Sequence, residues 1–260
     1  ALPQSEKERC NVAGSKGQRG YSSHGAETAK GESAPDLKEF WQHGQTFAPD
    51  DIAELSPQAD GVHRRANIDV PALPDFTPTL TAAYAALESS GRDVLRATAC
   101  YLGQPAQYFD AKIKGGVSIL RSIHYPPITA EPKSAVRAAA HEDINLLTLL
   151  MGASAEGLEV LNKAGEWIPI LAPRGYLTIN VGDMLQRLTN RRLVSTTHRV
   201  VNPPRERWSQ PRYSVPFFLH PRPEMDLTSL ACCVDAEHPK LFSDMTAQQY
   251  LEERLSEIRR

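Results

Sequence analysis

Apolar positions change their spacing once along the chain, and that change divides it. Leu80, Tyr84, Leu87, Gly91, Val94, Leu95, Thr98 and Leu102 recur at helical intervals, which predicts a helix with one buried face. Thr77-Pro78 predicts its start, because threonine is a good cap and proline is tolerated in a first turn. Gly91 should weaken its middle. A second short helix is expected over about 105–113, ended by Gly115-Gly116. Beyond it the runs shorten, turn residues intervene, and eight short strands are predicted at 117–125, 137–141, 146–151, 158–161, 167–170, 176–180, 196–201 and 212–219. Met184 to Asn190 reads as a single helical turn between two of them. Eight short strands in succession make a jelly roll or barrel.

The two ends read differently. Residues 1–75 lack apolar periodicity and are broken at 14–17 and at 33–36, so irregular structure wrapping a core is expected there. Residues 38–41 fit a strand or a short helical turn equally well. After Pro221-Arg222-Pro223 the chain leaves the sheet, and Thr246 with Gln249 forms a capping-box pattern. It opens a last helix with Tyr250, Leu251, Leu255 and Ile258 on one face. We therefore expect one domain over 1–260: a flank at 1–116, a jelly-roll core at 117–220 and a helical extension at 221–260.

Composition narrows the function. A formal charge of −2 and a pI near 6.5 give no basic surface for nucleic acid. Hydrophobic residues make up 41%, with no apolar run long enough to span a bilayer, so no membrane partner is expected. Cys10, Cys100, Cys232 and Cys233 show no CxxC spacing, which suits free thiols in a reducing cytoplasm. The first residues lack the charged and apolar regions of a secretory signal.

The candidate chemistry lies in the strands. His141 and Asp143 are two residues apart at a strand end and so point to one side. His198 follows 57 residues later in the β-branched run Ser195 to Val201. Two imidazoles and a carboxylate form a three-ligand face that leaves positions open on an octahedral metal, the arrangement of non-haem Fe(II) oxygenases. Fourteen residues on, Arg212 and Ser214 share one side of the next strand and present a fork for a carboxylate. A His-x-Asp pair alone is weak, since a strand histidine is more often a satisfied core residue. His43, His63 and His238 have no partner at ligand spacing and are expected to be solvated.

The ordered series is more specific than any member of it. Tyr125-Pro126-Pro127, His141-Glu142-Asp143, Gly157-Leu158-Glu159-Val160, Gly165-Glu166-Trp167, Asn180-Val181-Gly182-Asp183, Ser195 to Val201 and Arg212-Tyr213-Ser214 follow one another. The series resembles the isopenicillin N synthase-like family of iron(II)- and 2-oxoglutarate-dependent dioxygenases from about Gly20 onward. The resemblance implies a double-stranded β-helix and Fe(II) held by His141, Asp143 and His198. It also implies 2-oxoglutarate gripped at its distal carboxylate by Arg212 and Ser214 with help from Tyr125, and O2 as oxidant. The family decarboxylates the oxoacid to succinate while oxidising a C–H bond of a small molecule.

Ile123 departs from the asparagine that many plant members carry, which implies fewer co-substrate contacts here. Asn180 and Asp183 would form a turn and hydrogen bonds behind the ligands, Arg199 an ion pair on the far face, and Glu142 would point away from the metal. Residues 20–25 resemble a segment near the active-site mouth. The family usually opens with a strand, a helix and a strand ahead of the segment matched by residues 1–7, so an open sheet edge or exposed apolar patch is expected. Two rival readings remain: a family oxidase that uses Fe(II) and O2 without 2-oxoglutarate, and a jelly-roll binding or zinc-hydrolase module. The sequence does not set the primary substrate or the oligomeric state.

Overall fold

A computed structural model describes residues 2–14, 18–46 and 66–257. His63 and Ile258 and part of the break at 14–17 lie outside the described residues. The strands are β1 (Gly20–Ser22), β2 (Glu39–Gly44), β3 (Ile119–Tyr125), β4 (Ala138–His141), β5 (Leu147–Met151), β6 (Leu158–Leu161), β7 (Trp167–Pro169), β8 (Leu177–Val181), β9 (His198–Val200) and β10 (Arg212–Leu219). The helices are α1 (Gln4–Arg9), α2 (Phe76–Tyr101), α3 (Asp110–Ile113), α4 (Asp183–Leu188) and α5 (Ala247–Glu257). All eight expected strands form.

They make two antiparallel sheets, one ordered β1-β2-β3-β10-β5-β8 and the other β4-β9-β6-β7. This is the jelly roll that the strand series predicts. Helix α2 lies on the larger sheet and buries Leu80, Tyr84, Leu87, Leu95 and Ala99. Gly91 is where the helix comes closest: a Cβ there would sit 2.8 Å from Leu219 and 3.2 Å from Leu149. The residue that weakens the helix locally is thus the one that lets it pack. Phe40, Ile123, Tyr125, Ala138 and Val200, drawn from both sheets, form a smaller core between them.

Three expectations need correction. Thr77 is not the cap: α2 begins at Phe76, and the Thr77 hydroxyl donates to the Ile68 carbonyl at 3.2 Å. The first 75 residues are not wholly irregular, since α1, β1 and β2 lie within them. Strand β2 is buried along its whole length between β1 and β3, so it lacks the alternation that marks a half-exposed strand. His43, in β2, is buried rather than solvated and bonds Thr81 Oγ1 at 3.1 Å and Asn67 Nδ2 at 3.2 Å. Burial, then the charge of Arg19, lowers its pKa to about 4.

The capping box forms: Thr246 N–H donates to Gln249 Oε1 at 2.8 Å, and Gln249 N–H donates to Thr246 Oγ1 at 3.3 Å. The outer edge of β8 pairs with no described strand, and Tyr176, Leu177 and Ile179 are exposed along it.

Candidate metal centre

Strands β4 and β9 pair so that His141 lies opposite His198, with a register shift between Ala138 and His141. Asp143 follows β4 in the turn toward β5. The ring centroids of the two histidines are 4.4 Å apart. One ligand atom from each of His141, Asp143 and His198 lies within 4.8 Å of the others, and these three are the single such group among the described residues.

The local bonds orient each ligand. His141 Nδ1 lies 2.7 Å from the Ala139 carbonyl and His198 Nδ1 lies 3.0 Å from the Thr196 carbonyl. A carbonyl only accepts, so both rings carry their proton on Nδ1 and leave the Nε2 lone pair for a cation. Asp143 Oδ2 accepts from Thr148 Oγ1 and Asn180 Nδ2, each at 2.7 Å, while Oδ1 sits 3.8 Å from His198 Nε2. Burial pushes the Asp143 carboxyl up, but the His198 and His141 rings and the two hydrogen bonds outweigh it, and its pKa lies below the usual value. Burial and then the neighbouring His198 push His141 down to about 4. A neutral imidazole beside an ionised carboxylate is the protonation state that a divalent ion requires.

The expected outer residues divide. Asn180 does bond the Asp143 carboxylate, whereas Asp183 opens α4 and takes the Tyr250 hydroxyl of α5 at 3.0 Å. Arg199 pairs with Glu159 at 2.8 Å, and Glu142 accepts from Thr197 Oγ1 at 2.9 Å. Two contributors were not anticipated. Thr148 sits in an apolar strand where a hydroxyl is the lone signal, and Asp36 reads as part of a loop break. Asp36 Oδ1 accepts from the Ala139 N–H at 2.9 Å and so fixes the strand that carries His141.

Arg212 and Ser214 stand at the start of β10, opposite Tyr125 and Ile123 of β3. Arg212 is 1% exposed and its guanidinium carbon lies 5.0 Å from the centre of the Tyr125 ring. Its Nε donates to the Ala155 carbonyl at 3.0 Å, but Nη1 is buried without a hydrogen-bond partner. Burial lowers its pKa below the ordinary arginine value. A buried guanidinium with a free donor fits an anionic group, as the three-ligand face fits a divalent cation. Ser214 and Tyr125 are also buried, and Tyr125 belongs to the core between the sheets as well.

A cavity of about 150 Å³ opens beside His141 and Asp143, lined among others by Glu27, Lys38, Arg121 and Leu251. Of the segment expected at the mouth, Tyr21 is buried against Glu39 and His24 is exposed, and the residues just after them line the cavity.

Two histidines and a carboxylate on a jelly roll match the ligand set of non-haem Fe(II) oxygenases. Residues 116–221 match the model of the 2OG-Fe(II) oxygenase superfamily, and residues 1–63 match that of the non-haem dioxygenase in morphine synthesis N-terminal family. The chain is 30% identical to the 2-oxoglutarate-Fe(II) type oxidoreductase hxnY of Emericella nidulans, over 92% of this chain and 69% of that protein. Among solved structures, a 2OG-Fe(II) oxygenase family protein from Caulobacter crescentus is 44% identical with a TM-score of 0.85, covering 99% of this chain and 81% of that one. A full-length Neurospora crassa protein in complex with alpha-KG is 30% identical with a TM-score of 0.81, covering 98% and 78%.

The chain belongs to the 2-oxoglutarate and Fe(II)-dependent oxygenase superfamily. It is an oxidoreductase whose cofactor is Fe(II) and whose co-substrates are 2-oxoglutarate and O2. It spans 60% to 69% of the length of three fungal relatives that it matches. No helix among the described residues is long and apolar enough to cross a membrane.

Proposed function

We propose that this chain couples oxidative decarboxylation of 2-oxoglutarate to hydroxylation or desaturation of a small organic molecule, within the isopenicillin N synthase-like branch of the superfamily. His141, Asp143 and His198 hold Fe(II), and Arg212, Ser214 and Tyr125 hold the distal carboxylate of 2-oxoglutarate. The observation that carries the reading is the pairing of a metal-ready face with a buried arginine that keeps one donor unused. Bound Fe(II) supplies the redox chemistry that joins O2 to the oxoacid and to the C–H bond. The chain's own part is placement. Ala139 and Thr196 fix the imidazoles, Thr148 and Asn180 hold the carboxylate, and Arg212 sets how deep the oxoacid sits.

A small substrate is supported by the size of the cavity beside His141 and by the Neurospora crassa relative, which has been solved with alpha-KG and thymine. We place the activity in the cytoplasm, where four unbridged cysteines persist as thiols. The test is production of succinate and CO2 with Fe(II) across a panel of small molecules. Turnover coupled to a panel member supports the reading. Oxidation of a panel member by iron and O2 with no succinate formed would overturn it in favour of the oxidase reading.

A further inference from the structure

Arg212 is not alone. Arg137, immediately before β4, is 2% exposed, and its guanidinium carbon lies 6.0 Å from the centre of the Tyr125 ring that Arg212 also faces. Its Nη2 donates to the carbonyl of Gln210 at 2.9 Å, two residues ahead of Arg212, so the two arginines are tied through one short segment. Its Nε is buried without a partner, like Nη1 of Arg212. Among the described residues neither arginine forms an ion pair: both bond backbone carbonyls and Arg212 also meets the Tyr125 hydroxyl, none of which carries a net charge. The nearby carboxylate of Glu156 is exposed and lies 3.6 Å from Arg207.

Two buried guanidinium groups around one ring, with no counter-charge, form an unfavourable arrangement unless an anion joins them. Each charge opposes the other, and burial followed by the Arg212 charge lowers the pKa of Arg137. Arg212 and Arg137 border neighbouring cavities that share Ala155, Glu156, Leu158, Arg207 and Gln210, and the one carboxylate among these, Glu156, lies within 3.6 Å of the third arginine, Arg207. The chemistry that satisfies two unused N–H donors and two positive charges is a carboxylate, whose two oxygens can each take one donor.

We propose that Arg137 is a second arginine of the co-substrate site, and that the distal carboxylate of 2-oxoglutarate is held between Arg137 and Arg212. This rests on the 2-oxoglutarate reading above. Its consequence is strong selection for an oxoacid with a distal carboxylate over one ending in a methyl group.

The test is calorimetric titration of the Mn(II)-loaded protein, without turnover, with 2-oxoglutarate and with 2-oxopentanoate, which keeps the keto-acid end and lacks the distal carboxylate. Arg137→Gln should weaken 2-oxoglutarate binding by roughly tenfold or more, the scale of a lost charge-assisted hydrogen bond, and leave 2-oxopentanoate within about twofold. Arg137→Lys should fall between, because an ammonium keeps the charge without the planar fork. It carries the test if the glutamine variant does not fold. Equal weakening of both oxoacids would mean that Arg137 only supports the fold, and no change in either would mean that it is not at the site; each overturns the proposal. Wild-type protein that holds Mn(II) and binds neither oxoacid would instead remove the co-substrate reading itself, and this inference with it.

Discussion

The two ends of the proposed site are built on opposite terms. At the metal end every outer atom of the ligands is engaged: both Nδ1 groups bond carbonyls, and Asp143 Oδ2 takes two donors. At the arginine end donors are left over, with Arg212 Nη1 and Arg137 Nε buried and unpaired. The first end is finished apart from a cation. The second is unfinished in a way that an anion completes. Orientation is fixed in advance where bond angles at a metal demand it, whereas charge is held unmatched where a dissociable co-substrate must be drawn in.

The largest effect should come from the metal end. Asp143→Ala removes a ligand and should abolish Fe(II) or Mn(II) retention, measured as metal content after desalting, by more than the 10- to 100-fold that loss of an outer partner costs. Retention near the wild-type level would break the contrast. Next, Arg212→Ala should weaken 2-oxoglutarate binding by roughly 10- to 150-fold, the equivalent of about 1.5–3 kcal/mol, while metal affinity stays put. Lysine at that position should not restore it fully.

A finer test addresses the outer bonds. Thr148→Val keeps the shape and removes the hydroxyl that donates to Asp143, so metal affinity should fall by about 10- to 100-fold by titration. An unchanged affinity would mean that the prior orientation of Asp143 contributes little.

The smallest effect separates scaffold from site. His43 is neutral in the folded protein, with its pKa lowered to about 4. The unfolded chain therefore takes up its proton first. The stability this histidine contributes is present above about pH 6.5 and is lost as the pH falls toward 4. At pH 5 the loss is about 2 kcal/mol relative to pH 8. His43→Gln should flatten that limb in urea unfolding, and metal loading should leave this share unchanged. A limb of the same depth in the variant would assign the acid loss to other groups.

The same contrast explains what could be read from the sequence. His141, Asp143 and Arg212 are legible because they interrupt runs of strand-forming residues, and a polar group at a regular interval is conspicuous there. Thr148 is not, because threonine is an ordinary strand residue and its partner Asp143 is found only when the turn closes. Arg137 reads as the first residue of a strand, since nothing local tells that its guanidinium is buried beside Tyr125. The start of strand β2 reads as a strand or a helical turn alike because burial on both faces erases the period of two, and the burial of His43 is hidden because Asn67 and Thr81 reach it from distant positions. What sequence conveys is the face a residue presents; what it withholds is the partner across the fold.

In the proposed function, one molecule of 2-oxoglutarate joins the cation end to the anion end. The most direct measurement is anaerobic titration of 2-oxoglutarate into the Fe(II)-loaded protein while the visible spectrum is followed. A saturable charge-transfer band should appear in the wild type, vanish in His141→Ala, and in Arg212→Ala require roughly 10- to 150-fold more 2-oxoglutarate to reach its midpoint. Wild-type protein with iron bound that shows neither the band nor 2-oxoglutarate binding would contradict the claim, and Arg212 would then be left to grip the carboxylate of a primary substrate.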